Sequence, residues 1–294
     1  MLLTFLLIIV YVRADFAVIG DWGGHHGTTH QSRVAAVLES TNPDFVVNTG
    51  DSFYPNGIAH ASDPNIQRLW VDMYNMSRPW VSVLGNHDYL NNASAQLHIP
   101  YTNWHMPSRY YKWAFNDIDF WFLDTTPWMP FNYVEAHQAK YGDLSDATRA
   151  DFEAQRQTVP EQIAWLRASM ASSTASRKFV VGHHPLWTYG YHRHANHSRL
   201  QDVVLDLHNQ YGLEGYLCGH DHNLQHIRLQ GLDEYLSGAG SSSFEVFSGP
   251  GLMYKTTTAD HGFVVVHDNK TVSFVDSYGH VVHQSHNLER ISVG

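Results

Sequence analysis

Five short apolar runs in this 294-residue chain end in glycine followed by a side chain able to bind a metal. Phe16–Ile19 leads into Gly20 and Asp21, and Phe45–Thr49 into Gly50 and Asp51. Trp80–Leu84 leads into Gly85, Asn86 and His87, Phe179–Val181 into Gly182, His183 and His184, and Gly215–Cys218 into Gly219, His220, Asp221 and His222. Runs of β-branched and aromatic residues without polar alternation suit strands covered on both faces, and glycine lets the backbone turn sharply at a strand end. In sheets of this kind ligands bind in the crevice beyond the strand ends. The expectation is an α/β fold with one site assembled from five strand ends.

The segments between these runs fit that frame. Gln31–Ser40 carries Val34, Val37 and Leu38 on one helical side, and the thirty residues from Asp21 to Asp51 are the length of a strand–helix–strand unit that brings both aspartates to one sheet edge. A helix is expected over about residues 65–76. A hairpin is expected over Tyr110–Phe115 and Ile118–Leu123, turning at Asn116 and Asp117. Thr125–Thr158 reads as a long polar loop dotted with aromatics, the kind that is functional or mobile. Thr158, Val159, Pro160 and Glu161 look like a capping box opening a helix with Ile163, Leu166 and Met170 on its apolar side. Ser198–Tyr211 reads as a further helix. The segments Leu224–Leu236, Gly262–Val266, Val272–Asp276 and Val281–His283 read as antiparallel strands completing a second sheet packed on the first.

Composition narrows the function. With 43% hydrophobic residues and no visible interior linker, residues 15–294 are expected to form a single domain. The net charge of −10, without a basic run, argues against nucleic acid as a partner. Histidine, at 22 residues, outnumbers lysine and arginine together at 18. Free imidazoles titrate near ~6.5, so an acidic compartment would shift the molecule toward positive charge and attract anions. Met1–Ala14 has an apolar core over Leu2–Val12, ends in a small-residue pattern and is too short for a stable membrane span, which points to a signal peptide, with an uncleaved anchor as the alternative, and to a secreted, lysosomal or endosomal destination. The sequons at Asn75, Asn92, Asn196 and Asn269 would then accept N-glycans. Cys218 stands alone, so no intramolecular disulfide forms.

Asp21, Asp51, Tyr54, Asn86, His183, His220 and His222 offer oxygen and nitrogen donors and no thiolate, which admits iron, zinc or manganese. Seven donors exceed one tetrahedral zinc; two metals sharing one carboxylate fit better, with Asp51 central in the set. Two metals about 3.5–4 Å apart clamp a phosphoryl group and activate a water, which suits in-line displacement at phosphorus. His87 and His192 are placed to bind phosphate oxygens or protonate a leaving group; either is also compatible with an ordinary loop histidine.

These motifs, Gly20-Asp21-x-Gly23, Gly50-Asp51-x-x-Tyr54, Gly85-Asn86-His87-Asp88, Val180-x-x-His183 and Gly219-His220-x-His222, resemble in order the five motifs of the purple acid phosphatases. The chain looks most like their small tartrate-resistant type, within the calcineurin-like metallophosphoesterase superfamily. The resemblance implies a four-layer αββα sandwich of two mixed β-sheets flanked by helices. It implies Fe(III) on Asp21, Asp51, Tyr54 and His222, and a divalent iron, zinc or manganese on Asp51, Asn86, His183 and His220. His87 and His192 fall where the family has its substrate-contacting and proton-donating histidines, with His194 and His197 close by as alternatives to His192. The implied activity is that of a monomeric acid phosphatase hydrolysing phosphate monoesters, of small molecules or phosphoproteins, by metal-bound hydroxide attack. By the same analogy Asn92 is glycosylated. The chain departs from the mammalian type in having no disulfide and a different, acidic and aromatic Thr125–Thr158 segment, so activation by proteolysis is not carried over. The alternatives are a phosphodiesterase on the same scaffold and a secreted iron-binding glycoprotein.

Overall fold

The computed structural model describes residues 15–24, 27–74, 77–129, 144–257 and 260–286. The proposed signal segment 1–14, Asn75 of one sequon and residues 130–143 of the segment Thr125–Thr158 lie outside them. The chain runs through β1 (Phe16–Ile19), α1 (Thr29–Thr41), β2 (Phe45–Asn48), a short α2 (Pro64–Ile66) that widens into a π turn over Gln67–Val71, β3 (Trp80–Ser82) and β4 (Trp104–His105). There follow β5 (Tyr111–Phe115), β6 (Ile118–Phe122), α3 (Asp146–Ala171), β7 (Arg177–Val181), α4 (Ser198–Tyr211) and β8 (Gly215–Cys218). The remainder is β9 (Leu224–Leu229), β10 (Leu232–Ser237), β11 (Leu252–Lys255), β12 (Gly262–Val266), β13 (Thr271–Asp276) and β14 (Val281–His286).

Among the described residues these strands make two seven-stranded mixed sheets, ordered β14-β13-β12-β1-β2-β3-β4 and β11-β9-β10-β8-β7-β6-β5. Phe16 and Phe45 of the first sheet meet Phe120 and Phe179 of the second, with Phe16–Phe120 at 5.2 Å and Phe45–Phe120 at 5.6 Å, so the main core lies between the sheets. On the outside, α1 buries Val34, Ala35 and Leu38 and ends at Asn42, whose left-handed φ of 49° suits a helix stop. A second core holds Leu166 and Met170 of α3 and Leu200, Val204 and Leu207 of α4 against Val180, Tyr216 and Cys218 of the second sheet. The result is the expected α/β fold of two mixed sheets flanked by helices. Among the described residues no helix is long and apolar enough to cross a membrane.

Three expectations need correction. The C-terminal strands do not all complete the second sheet: β9–β11 join it, whereas β12–β14 extend the first. β12 pairs antiparallel with β1, Phe16 opposite Val266, while β10 pairs parallel with β8. β1 is fully buried, and a strand buried on both faces needs a neighbour on each edge, which the wholly apolar Gly262–Val266 provides. The expected start of a helix at Thr158 is also displaced. α3 begins at Asp146, where Ser145 Oγ accepts the Thr148 N–H at 3.1 Å, and Pro160 sits inside it. The buried positions Phe152, Val159, Leu166 and Met170 continue through the proline, and this packing outweighs the missing hydrogen bond. Thr158 Oγ1 donates back to Gln155 O at 2.8 Å and caps nothing. The helix expected over 65–76 shortens into a π turn, where Gln31 Nε2 takes the carbonyl of Leu69 at 2.6 Å.

Candidate metal centre

β1, β2 and β3 of the first sheet and β7 and β8 of the second end at a common edge, and all seven sequence-predicted donors converge there. The two sheets are stitched at this edge: the His220 N–H donates to Asp21 Oδ2 at 2.9 Å, His183 Nδ1 lies 2.9 Å from Thr49 O, and Ser237 Oγ donates to Val18 O at 2.7 Å. Asp21, Asp51 and His220 adopt φ values of 57°, 51° and 70°, left-handed conformations that non-glycine residues seldom take and that cluster where function requires them. Neighbouring glycines allow the close approach: a Cβ on Gly85 would stand 2.1 Å from Asp51 Oδ1, and one on Gly219 would stand 2.5 Å from Asp21 Oδ2.

The donors fall into two groups that meet at Asp51. Tyr54 OH lies 2.8 Å from Asp21 Oδ1, 2.9 Å from Asp51 Oδ2 and 3.0 Å from His222 Nε2. His183 Nε2 lies 3.0 Å from Asn86 Oδ1, 3.2 Å from His220 Nδ1 and 3.5 Å from Asp51 Oδ2. Asp21, Asp51 and His183 can bring one ligand atom each within 4.8 Å of the others, and all three are buried. The Thr49 carbonyl accepts from His183 Nδ1, which leaves Nε2 directed to the cluster, as second-sphere carbonyls do for metal-binding imidazoles.

Electrostatics fit the same reading. Burial alone would raise the Asp51 carboxyl, but the His183 and His87 imidazoles outweigh it and hold it well below the usual carboxylate range. Burial would lower His183, and Asp51 instead lifts it to about 9. Burial and the Asp21 and Asp51 carboxylates push the Tyr54 phenol well above its ordinary value. A cation held by these donors would oppose that shift. The oxygen and nitrogen donors, with no thiolate among them, suit iron, zinc or manganese.

His87 and His192 flank this cluster. The His87 N–H donates to Asp51 Oδ1 at 2.7 Å, its Nδ1 lies 2.5 Å from Pro55 O, and its ring lies 4.5 Å from that of Tyr54. His192 stacks on His220 at 4.0 Å, and its Nδ1 lies 2.8 Å from Asp221 Oδ1. His194 is exposed, whereas His197 is buried with its ring 6.1 Å from that of His184. Of the three histidines in this loop, only His192 stands on the cluster with a carboxylate behind it.

Sequence reasoning passed over two carboxylates that organise the site. Asp221 accepts from both the backbone and the ring of His192 and from the Thr188 hydroxyl. Asp88 accepts the N–H groups of Gly85, Asp51 and Ser52 at 2.8, 3.0 and 3.2 Å, so it fixes the ends of β2 and β3 together. Burial and the nearby Asp51 charge raise Asp88 to about 7. Both sit beside the motif residues, where a carboxylate between two histidines or after one is a signal for second-sphere support.

Two facing mixed sheets with a buried oxygen and nitrogen donor cluster at their shared edge define a metallophosphoesterase. The sequence matches the calcineurin-like phosphoesterase family over residues 14–224. Purple acid phosphatase 17 of Arabidopsis thaliana is 32% identical over 291 residues, spanning 92% of this chain and 83% of that protein. Tartrate-resistant acid phosphatase type 5 of Mus musculus is 30% identical over 257 residues, spanning 77% and 72%. The chain belongs to the calcineurin-like phosphoesterases and, within them, to the purple acid phosphatases. It is a metal-dependent hydrolase of phosphate esters of the acid phosphatase type. Among solved structures it is similar to GAP50, the anchor in the inner membrane complex of Plasmodium, with a TM-score of 0.72 and 25% identity over 94% of this chain and 89% of that one. The fold is also that of the yellow lupin purple acid phosphatase PPD1, with a TM-score of 0.64 and 13% identity over 93% of this chain and 53% of that one.

Proposed function

We propose that the chain hydrolyses phosphate monoesters at a binuclear centre, with Asp21, Asp51, Tyr54 and His222 holding Fe(III) and Asp51, Asn86, His183 and His220 holding a divalent iron, zinc or manganese. The observation that carries this reading is the position of Asp51 Oδ2, 2.9 Å from Tyr54 OH in one donor group and 3.5 Å from His183 Nε2 in the other. When bound, such a metal pair polarises phosphoryl oxygens and lowers the pKa of a water for attack on phosphorus.

The protein's own groups place and protonate the substrate. His87, pinned through Nδ1 to Pro55 O and through its N–H to Asp51, presents its remaining ring nitrogen to a phosphate oxygen. Asp221 fixes the His192 ring, so that its imidazolium keeps one proton on Nδ1 toward the carboxylate and delivers the other from Nε2 to the leaving oxygen. Asp88 and Thr49 hold the strand ends and His183 in register. Secretion or delivery to an acidic compartment through residues 1–14, N-glycans at Asn92, Asn196, Asn269 and Asn75, a single domain over 15–294 and a monomeric state complete the proposal.

The test is a visible absorption spectrum of protein with verified iron content, paired with rates on a phosphate monoester and a diester. The expected result is a broad violet or pink band that Tyr54→Phe abolishes, with preference for the monoester. A colourless iron-loaded protein would overturn the Tyr54 ligand. Preference for the diester would move the reading to a phosphodiesterase.

A further inference from the structure

Tyr89 follows His87 by two residues, inside the single 3-10 turn Asp88–Leu90. Its hydroxyl makes a short hydrogen bond to Asp124 Oδ2 and accepts from Arg109 Nη1 at 2.7 Å. Arg109 Nη2 reaches further, to Ser94 Oγ at 2.8 Å and to the two oxygens of Asp151 on α3 at 3.0 and 2.7 Å. Asp124 closes β6 at the same sheet edge as His183, and Gln162 of α3 brackets its backbone, accepting its N–H at 3.1 Å and donating to its carbonyl at 3.3 Å. The next residue, Thr125, accepts the N–H groups of His183 and His184 at 3.2 and 3.1 Å. Two consecutive residues of the second sheet thus tie the His87 turn of the first sheet to the strand end that carries His183.

This arrangement is a poor choice for stability alone. Tyr89 and Asp124 are buried, and the Arg109 side chain is only 10% exposed. Buried ion pairs and their hydrogen-bonded partners seldom improve on apolar side chains of the same volume, and their best-attested use is to specify one arrangement. The Tyr89 ring packs edge-on against Phe152 at 5.9 Å, so the ring serves the core while the hydroxyl serves the polar network behind it. Asp124 Oδ1 has no hydrogen-bond partner among the described residues, a penalty that a carboxylate kept only for packing would not carry.

We propose that Tyr89, Asp124 and Arg109, anchored by Asp151, are positioning residues for His87, holding its turn at the height where the imidazole meets the substrate phosphate. The proposal rests on the reading of His87 as a substrate-contacting group. Pro55 and Asp51 restrain His87 from one side; the Tyr89 network restrains the following turn from the other. Without it the turn relaxes while the metal donors stay in place, so substrate binding suffers before metal binding does.

The experiment is a double-mutant cycle on the metal-loaded full chain with p-nitrophenyl phosphate, using Tyr89→Phe, His87→Ala and the double variant. Metal content and thermal melts are measured on each. Tyr89→Phe is expected to lower kcat/KM about tenfold, below the ~10²-fold that accompanies a 1 Å misplacement, mainly through KM and with metal content unchanged. In the His87→Ala background the same change is expected to alter kcat/KM less than about twofold, because the residue to be positioned is gone. Asp151→Asn, at the 32%-exposed end of the network, is expected to give a smaller KM effect with the same dependence on His87. Equal effects of Tyr89→Phe in both backgrounds would overturn the network's role. A silent His87→Ala would overturn the role of His87 itself, and the proposal with it.

Discussion

Replacing Gly85 by alanine probes the centre where its packing is tightest. A Cβ at this position would stand 2.1 Å from Asp51 Oδ1, 2.4 Å from Asp51 N and 2.7 Å from Asp51 Cγ. Nonbonded carbon atoms rest at roughly 3.5 Å, so relief takes a shift on the order of 1 Å. Asp51 has little room to make it: its N–H is held by Asp88, its Oδ1 by the His87 N–H, and its φ is already 51°. Overpacking a core by a methyl group costs about 1–3 kcal/mol, against the roughly 5–15 kcal/mol that holds a domain folded. The variant therefore folds. A 1 Å misplacement of a reacting group costs about 10²-fold in rate, close to 3 kcal/mol of barrier. The expected protein keeps its circular dichroism and a cooperative melt, loses metal after loading with iron and zinc as read by mass spectrometry, and falls about 10²-fold in kcat/KM. Full metal content with unchanged kcat/KM would refute the reasoning that Asp51 is a shared ligand held by close packing.

Two further outcomes follow from the carboxylates behind the site. Asp221→Asn keeps the shape behind His192 and removes its charge, so hydrolysis of alkyl phosphates should fall on the order of 10²-fold. That of p-nitrophenyl phosphate, whose leaving group departs without a proton, should change little, and equal losses on both would sink the proton-donor role. Glu234 is buried, accepts the Leu186 and Trp187 N–H groups, and is raised by burial from 4.5 to about 8. Because its folded value lies above its unfolded one, its contribution to stability is complete below about pH 4.5 and is lost as pH rises through about 8. Thermal melts across that window should show a declining midpoint in the parent and a flatter profile in Glu234→Gln; identical slopes would remove Glu234 as the cause.

The donor cluster was legible because each donor follows an apolar run and a glycine, a local pattern that survives whatever sheet the run joins. The partition of the runs was not legible. Phe16–Ile19 and Phe179–Val181 read alike, yet they lie in opposite sheets, because a strand buried on both faces carries no alternation to show which neighbour it pairs with. α3 was misread for a different reason. Pro160 is a strong local stop, but the buried positions on either side of it continue one apolar side, and tertiary packing overrides propensity. The network behind His87 was hidden because Tyr89, Arg109, Asp124 and Asp151 are far apart in the sequence and meet only when β6 and α3 close over the turn.

The left-handed residues explain why the site is split between the sheets. A donor in ordinary strand conformation points to a face of its sheet, into the aromatic core on one side or toward the helices on the other. Neither position admits a phosphate. Turning Asp21, Asp51 and His220 into φ values of 51–70° directs them past the strand ends, at a strain of about 1–3 kcal/mol each. That strain persists only if other bonds over-determine the turn. Here they do: the His220 N–H is held by Asp21, the Asp21 N–H by Gly50 O at 3.0 Å, and the Asp51 N–H by Asp88. One of these bonds, His220 to Asp21, joins opposite sheets, so the packing that builds the core also sets the spacing of the donors. A substitution that slides one sheet against the other should therefore reach the centre without touching a single donor.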